Sequence, residues 1–436
     1  MVIYELFIVV LLLWLISVII TKEIFSPCAL ILVSYILAIL CAIYNIENWQ
    51  INLHNNTFLV ILVGLLSFFI TSMIISVFMR KNNKMEVLKL TYINVDQNMV
   101  FLLNLISFVI FCIYTIYFFK GVGSFSGFEQ FSKAMTSYRY RVKFLDEEYI
   151  PTIINFLSKF CRALAYVYSY ILINNSIYSK QNNLKMKKYK KYILGIMIYI
   201  PMTFMGGGRF NLIIFILNCI VIWNFLYRKS SGKTLNFKNL FKVVILLIIV
   251  IGIFSISRSL VGRTSKSGML DYVTQYFGGS IHIFDMYMQE DYEFNGVIGQ
   301  ELFSDLRKFM TQIKILPISN IPSDVGNYRA TSDGVIIGNV YTGFRKMHHD
   351  FGVIGVIFFQ SILAIIFNYL YYKIVYNKKN DIISKELLVY SVLSFCLILH
   401  SYSEFFFSTI ISFNYFFVFF MIFIIRYCLL KYKIKI

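Results

Sequence analysis

The sequence predicts an all-α membrane protein that crosses the bilayer many times. Of its 436 residues, 58% are hydrophobic and 18% are aromatic, and the mean hydropathy is +0.69. Apolar runs recur along the whole chain, and most are long enough for a helix to cross a hydrocarbon core of about 30 Å. Basic residues instead gather in short segments between these runs.

We predict eleven transmembrane helices. The first apolar run has no basic n-region and no small-residue cleavage site, so we expect a retained span and not a signal peptide. Residues 192–227 are too many for one span and enough for two short ones, and the glycines at 206–208 permit a tight reversal between them. The predicted spans are 2–20, 28–44, 57–79, 98–119, 151–174, 192–206, 210–227, 241–257, 351–375, 386–402 and 405–425.

The basic residues predict the orientation. Five segments hold 23 of the 41 Lys and Arg, more than the whole net charge of +19, and all five fall in connections of one parity or at the C-terminus. The positive-inside rule places them in the cytoplasm and the N-terminus outside. Topology thus accounts for the basic excess, and we expect no nucleic-acid partner. The segments are 80–89, 180–191, 228–242, 373–385 and 426–436.

This topology divides the chain into three parts: helices 1–8 (1–257), a large extracytoplasmic loop (258–350), and helices 9–11 with a cytoplasmic tail (351–436). The loop is nearly neutral, with nine Lys or Arg and ten Asp or Glu. Its amphipathic stretches at 270–288 and 300–315 are expected to lie on the membrane surface or to roof a cavity. Loops of this length are more often functional than connective.

The cysteines and the known cofactor motifs give little sign of a cofactor. The seven cysteines lie in or beside apolar runs without CxxC or Cys/His spacing, so neither a disulfide framework nor a zinc site is predicted. No P-loop, Rossmann fingerprint, GxSxG or HExxH is present. The cytoplasmic loops are too short for a nucleotide-binding domain, so any reaction must use a substrate that is already energised and lies at the outer face.

The stretch "MGGGRF" contains the first candidate site. Gly207 and Gly208 would expose backbone N–H groups at the start of the seventh span, where the guanidinium of Arg209 would complete an anion site. The alternative is that Arg209 is only a headgroup anchor whose charge reaches the membrane surface.

A second cluster lies at the mouth of the ninth span, in "FRKMHHDFG". Arg345, His348, His349 and Asp350 suggest acid–base chemistry or a metal. Adjacent residues on a helix point about 100° apart, which disfavours binding of one ion by both histidines. The alternative is a polar belt at the membrane interface.

Further arginines occur on the predicted outer side. Arg139 and Arg141, in "YRYR", are expected on the same face of a strand or extended loop, with a solvated basic patch as the alternative. Arg258 and Arg263 follow the eighth span, where two arginines call for an anionic partner, lipid phosphate included.

The histidines outside the second cluster are less informative. His400 and Glu404, in "LHSYSEFF", are four residues apart and would share a helix face, where they suit either catalysis or the capping of a hairpin. The sequence offers no partner for His54 or His282.

Together, "GGGR" between two short spans, a long outer loop, and "DFGVIG" entering the next long span resemble the bacterial oligosaccharide repeat unit polymerases, the Wzy-type O-antigen and capsule polymerases. The likeness in hydropathy covers the whole chain. At residue level it is limited to about 204–212 and 338–357, with weaker similarity around "YRYR" and "YFGGSIHIFD". The resemblance implies a fold similar to the glycosyltransferase C superfamily and block transfer of a growing glycan from undecaprenyl pyrophosphate onto the next lipid-linked repeat unit.

The resemblance also implies a place and partners. The protein would lie in the bacterial cytoplasmic (inner) membrane and need no cofactor. It would bind undecaprenyl-pyrophosphate-linked oligosaccharides and membrane lipids. A chain-length regulator and a flippase are candidate protein partners. The alternatives are an O-antigen ligase-type transferase and a non-enzymatic flippase or transporter. Most predicted spans lack ionisable residues, which favours an enzyme acting at the surface over a transport path.

The chemistry assigns roles to the candidates. Negative charge grows on the departing pyrophosphate, so cationic donors are needed there, and a base must receive the proton of the acceptor hydroxyl. The residues expected to bind substrate are Arg139, Arg141, Gly207, Gly208, Arg209, Arg258, Arg263 and Arg345. Those expected to supply the base are His348, His349, Asp350 or Glu404.

We expect reporter fusions to place the N-terminus outside, the C-terminus in the cytoplasm, and eleven spans between them, because all five basic segments have the same parity. A cytoplasmic reporter that is active after residue 310 would contradict this topology.

Overall fold

The structure is a computed structural model. It describes residues 1–81, 87, 89–144, 147–184, 189–206, 209–232, 252, 268–290, 298–316, 328–331, 333–377 and 381–431. Within these ranges the chain is almost entirely helical. Eight of the described helices are long and apolar enough to cross a membrane. The protein is therefore an all-α, multi-pass membrane protein.

The described elements follow one another in this order: α1 (Val2–Thr21), α2 (Pro27–Tyr44), α3 (Asn55–Lys81), α4 (Gln97–Val122), α5 (Phe128–Phe144), α6 (Thr152–Gln181), α7 (Tyr189–Met205), α8 (Phe210–Ser231), α9 (Met269–Met288), α10 (Ser304–Gln312), β1 (Arg329–Ala330), β2 (Ile336–Gly338), α11 (Arg345–Val375), α12 (Lys385–Leu393), α13 (Phe395–Ile398), a π-helical turn (Phe406–Ile410) and α14 (Phe413–Lys431). The two strands are antiparallel, with Arg329 opposite Gly338.

The first seven predicted spans correspond to α1–α4 and α6–α8. The predicted eighth span, 241–257, lies outside the described residues apart from 252. The ninth span begins earlier than predicted, at Arg345, and the helix is interrupted at Gly352, where φ is 62°. A side chain at that φ would be strained, so glycine permits the break that separates a polar first part from an apolar remainder.

The last two predicted spans are not continuous helices. In place of 386–402 there are α12 and the single turn α13, and in place of 405–425 there are the π-helical turn and α14. The chain turns between them, where the N–H of Gly343 donates to the carbonyl of His400 at 2.8 Å. A short hairpin at 400–404 is predicted from the two apolar runs, and the turns at 399–402 lie at that reversal, whereas the breaks within the two segments were not predicted.

The chain forms two compact units. Unit 1 comprises 1–85, 267–376 and 393–415, and unit 2 comprises 86–266, 377–392 and 416–436. In unit 1, α3 packs against α11 and α9 packs against α2. Glycines permit both approaches: a Cβ at Gly64 would collide with the ring of Phe344, and one at Gly278 would lie 2.6 Å from the backbone N of Ala42.

Contacts in unit 1 join segments that the sequence assigns to the same side of the membrane. At the predicted outer end, the hydroxyl of Ser280 donates to the carbonyl of Ser401 at 2.7 Å. At the predicted cytoplasmic end, the guanidinium of Arg80 donates to the carbonyl of Thr21. This separation agrees with the parity of the basic segments.

Contacts in unit 2 also join segments that the sequence assigns to one side of the membrane. The side-chain amide of Asn175 and the backbone of Ile93 exchange two hydrogen bonds of 2.8 and 2.9 Å, and Arg426 Nε donates to the carbonyl of Ile383 at 2.7 Å. All four residues lie in or beside segments predicted to be cytoplasmic. A buried core of aliphatic, aromatic and sulfur side chains holds α4, α6 and α7 together: Ile110, Tyr114, Cys161, Ile198 and Met202.

The amphipathic stretch at 270–288 is a helix, as its pattern predicts. In α9 the side chains of Ile281, Ile283 and Phe284 are buried, and Gly278 lies against the backbone of α2. The helical period is therefore confirmed, and one side of this helix packs within unit 1.

Replacing Gly278 by alanine should lower the stability of unit 1 by about 1–3 kcal/mol, because the new methyl group would overlap backbone atoms that cannot move independently. The measurement is the thermal unfolding midpoint of the purified protein in detergent.

Gly279→Ala is the matched control. Its Cβ would lie 3.0 Å from a side-chain atom of Ile337 and not against backbone as at Gly278, so the expected loss is smaller. Equal midpoints for the two variants would contradict the close packing of α9 on α2.

Candidate active site

The first turn of α11 carries a buried ion pair. Arg345 donates through both terminal nitrogens to the carboxylate of Glu301, and the two side chains are 4% and 0% exposed. The rings of Tyr287 and Tyr341 flank the guanidinium, with their centroids 4.9 and 4.7 Å from Cζ. A planar guanidinium is suited to bidentate pairing and ring stacking at once. The charge of Arg345 is therefore compensated within the protein.

His349 extends this pair into a chain of polar groups. Its Nε2 lies 3.2 Å from Glu301 Oε1, and its Nδ1 lies 3.2 Å from the hydroxyl of Tyr287. Burial raises the pKa of Glu301, and the positive charge of Arg345 opposes that increase. The result is a carboxylate–imidazole–phenol relay in which both nitrogens of His349 are engaged.

Asp350 ties the same turn to the segment before α10. Its carboxylate accepts the backbone N–H groups of Glu301 at 3.1 Å and Leu302 at 2.7 Å. This contact fixes the position of Glu301, and Oδ2 accepts both of these N–H groups. Asp350 is thus placed to hold the ion pair together.

His348 differs from its neighbour. Its side chain is half-buried, and its Nδ1 has no hydrogen-bond partner among the described residues. A proton acceptor needs a nitrogen that the fold has not already engaged. Of the four residues expected to supply the base, His348 best meets that condition.

Glu404 and His400 do not share a helix face, which corrects the prediction from their spacing. Residues 399–402 form turns, because the fold supplies partners outside the helical pattern. Glu404 accepts the N–H groups of Phe407 and Ser408 at 2.8 Å each and caps the π-helical turn. His400 is buried, with Nδ1 3.1 Å from Tyr35 Oη and Nε2 2.8 Å from Gln360.

Arg329 and Glu290 extend the polar groups around Tyr341. Arg329 pairs with the Glu290 carboxylate through two nitrogens, and its Nε donates to the hydroxyl of Tyr341 at 2.6 Å. The hydrogen bond from Arg329 lowers the pKa of Glu290. The sequence did not single out Arg329, Glu290, Glu301, Tyr287 or Tyr341, because these residues are 12 to 62 positions from their partners.

The arginines of unit 2 lie in a different setting. Arg209 precedes α8 directly and is only 4% exposed, and its carbonyl accepts the N–H of Leu212 at 3.2 Å. Arg139 and Arg141 lie within the helix α5, which corrects the expected strand or extended loop. Side chains two residues apart on a helix point about 200° apart, so Arg139 and Arg141 do not share a face. Arg141 donates to the carbonyl of Gly121 at 2.7 Å.

Four predicted substrate-binding residues, Gly207, Gly208, Arg258 and Arg263, lie outside the described residues. The others fall into two groups: Arg345, with His348, His349, Asp350 and Glu404, belongs to unit 1, whereas Arg139, Arg141 and Arg209 belong to unit 2. Among the described residues, no three His, Cys, Asp or Glu side chains are grouped so as to hold a metal ion.

Arg345→Met should destabilise the fold by about 3–5 kcal/mol, because it leaves the Glu301 carboxylate buried without its guanidinium. The double variant Arg345→Met/Glu301→Met should lose less than the sum of the two single variants. Unfolding in detergent by denaturant measures each difference.

Arg329→Met is the control, since Glu290 is half-exposed and such pairs contribute about 0–1 kcal/mol. Additive losses for Arg345 and Glu301 would contradict a coupled pair.

Comparison with known proteins found no match that could inform this geometry. No family model, no curated protein and no solved structure matches the chain.

Proposed function

We propose that this protein is a polysaccharide polymerase of the bacterial cytoplasmic membrane. It joins undecaprenyl-pyrophosphate-linked oligosaccharide repeat units into O-antigen or capsule at the outer face. The observation that carries the proposal is the burial of Arg209, which is 4% exposed at the start of an apolar helix. A charge in that setting is costly, and such residues are typically retained for binding or transport.

A lipid pyrophosphate suits Arg209. The oxygens of pyrophosphate match the planar fork of a guanidinium, and the start of a helix adds the positive end of the helix dipole. The substrate carries its own leaving group, so the reaction needs neither nucleotide nor ATP. Arg139, Arg141, Arg258 and Arg263 are further cations of the proposed outer face.

Arg345 has a different proposed role. Its guanidinium is held by Glu301 and two tyrosine rings, so a phosphate would have to displace a buried carboxylate to reach it. Displacing one partner of a buried pair is expensive. We therefore assign Arg345 to the positioning of the turn that carries His348, His349 and Asp350.

Within that turn, His348 is the candidate that the contacts favour among the four residues predicted to supply the base. The other three already take part in hydrogen bonds: His349 with Glu301 and Tyr287, and Asp350 and Glu404 with backbone N–H groups. The Nδ1 of His348 has no hydrogen-bond partner among the described residues, which supports the choice. The proposal includes eleven spans, a large extracytoplasmic loop and a fold like that of the glycosyltransferase C superfamily.

The test is the length of polymer made by wild type, Arg209→Lys and Arg209→Ala at matched protein levels. A headgroup anchor needs only positive charge, whereas a phosphate clamp needs the fork, so lysine should fail nearly as badly as alanine. Removing one charge-assisted donor from a transition-state site costs roughly 10²–10³ in rate. Both variants should accumulate single repeat units.

Arg228→Lys and Arg228→Ala are matched controls, because Arg228 lies in the last turn of the same helix, on the predicted cytoplasmic side. These variants should make polymer of normal length. If the Arg209→Lys variant makes polymer of normal length, Arg209 is only a headgroup anchor. Transfer to another acceptor without polymer would indicate a ligase, and lipid movement without transfer would indicate a flippase.

A further inference from the structure

A second group of polar side chains surrounds Asp285 in α9. This carboxylate is 1% exposed and accepts four hydrogen bonds, all from within unit 1. The donors are the backbone N–H of His54 at 3.0 Å, His54 Nδ1 at 3.1 Å, the hydroxyl of Thr57 at 2.6 Å and Gln289 Nε2 at 3.0 Å. Because both of its oxygens accept two hydrogen bonds, the Asp285 carboxylate is held in place.

This arrangement leaves one nitrogen of His54 available. With Nδ1 donating to Asp285, the neutral ring carries its lone pair on Nε2. The side chain of His54 is 48% exposed, so solutes can approach that nitrogen. A buried carboxylate behind an accessible imidazole orients the ring and stabilises the imidazolium that forms when it accepts a proton.

No other histidine has this arrangement. All five histidines of the chain lie among the described residues, and only His54 is exposed. The nitrogens of His349 and His400 are all engaged by side chains. His348 is half-buried, with one nitrogen that has no partner.

His282 lies beside Asp285 and leaves one nitrogen without a partner among the described residues. It precedes Asp285 by three residues, and therefore lies on the same side of α9. Its side chain is 8% exposed, and its Nδ1 has no hydrogen-bond partner among the described residues. A buried, unpaired nitrogen beside a fixed carboxylate is costly unless another group binds there.

We propose that His54 and Asp285 form a proton-accepting dyad that binds the hydroxyl of the acceptor sugar. The inference rests on the proposed function and assigns the acceptor to the face formed by residues 45–57 and α9. Asp285 and Tyr287 lie on opposite sides of α9, since residues two apart on a helix do not face each other. The dyad is thus separate from the Arg345 pair, and it takes the role of base in place of His348.

The proposed step balances without another reactant. The acceptor hydroxyl oxygen forms a bond to the anomeric carbon of the donor glycan, and its proton passes to His54 Nε2. The bond between that carbon and the pyrophosphate oxygen breaks, and the electron pair leaves with undecaprenyl pyrophosphate. The imidazolium, stabilised by Asp285, then releases its proton to solvent.

The competing explanation is structural, because Asp285 also accepts the N–H that precedes α3. His54→Ala separates the two roles: it retains the backbone N–H and the Thr57 hydroxyl, and removes only the ring. We expect polymerisation by purified protein on lipid-linked repeat units to fall by about 10²–10⁴, the usual contribution of a general base. Free imidazole should restore part of the rate, which a merely structural role would not permit.

Asn56→Ala, an exposed neighbour in α3, should retain the wild-type rate. If His54→Ala retains full rate while Arg209→Ala does not, the dyad is overturned and the polymerase is supported. If wild type makes no polymer from lipid-linked repeat units, the proposed function fails instead.

Diethylpyrocarbonate modification tests the dyad without polymerisation. Mass spectrometry should find His54 modified first among the five histidines, and Asp285→Asn should slow that modification. Modification of another histidine before His54, or no effect of Asp285→Asn, would overturn the assignment whatever the enzyme makes.

Discussion

The buried pair between Arg345 and Glu301 is the interaction on which the candidate site depends. A bare carboxylate or guanidinium at that depth would cost several kcal/mol, so each requires the other. The pair also fixes its surroundings: Tyr287 and Tyr341 pack on the guanidinium, His349 bonds the carboxylate, and the Asp350 carboxylate accepts the Glu301 N–H. Removing one member would therefore disturb the start of α11 and the segment before α10 together.

The helix α9 connects this pair to the His54–Asp285 dyad. One side of the helix presents Tyr287 to Arg345 and His349, and another presents Asp285 to His54 and Thr57. Gly278 allows the same helix to lie directly on α2. In the sequence this segment belongs to a predicted loop between membrane spans. In the structure it is part of the core of unit 1, and helix packing holds its polar residues in place.

The two proposed roles require different environments. A pyrophosphate clamp benefits from a buried cation, since electrostatic attraction strengthens where water is excluded, and Arg209 has that environment. A proton acceptor needs an accessible nitrogen with a fixed carboxylate behind it, and His54 has that environment. Local burial thus separates the two kinds of chemistry more clearly than residue type does, since arginines and histidines occur in both settings.

The sequence by itself determined the class of fold and most of its helices. Apolar runs cannot leave their backbone groups unsatisfied in lipid, so length and hydropathy sufficed to locate α1–α4 and α6–α8. The sequence also drew attention to the turn at 345–350 and to Arg209. It did not predict that Arg139 and Arg141 lie on a helix, or that Glu301 and Asp285 are the partners of Arg345 and His54. Those outcomes depend on contacts 44 and 231 residues apart in the chain, which only tertiary packing creates.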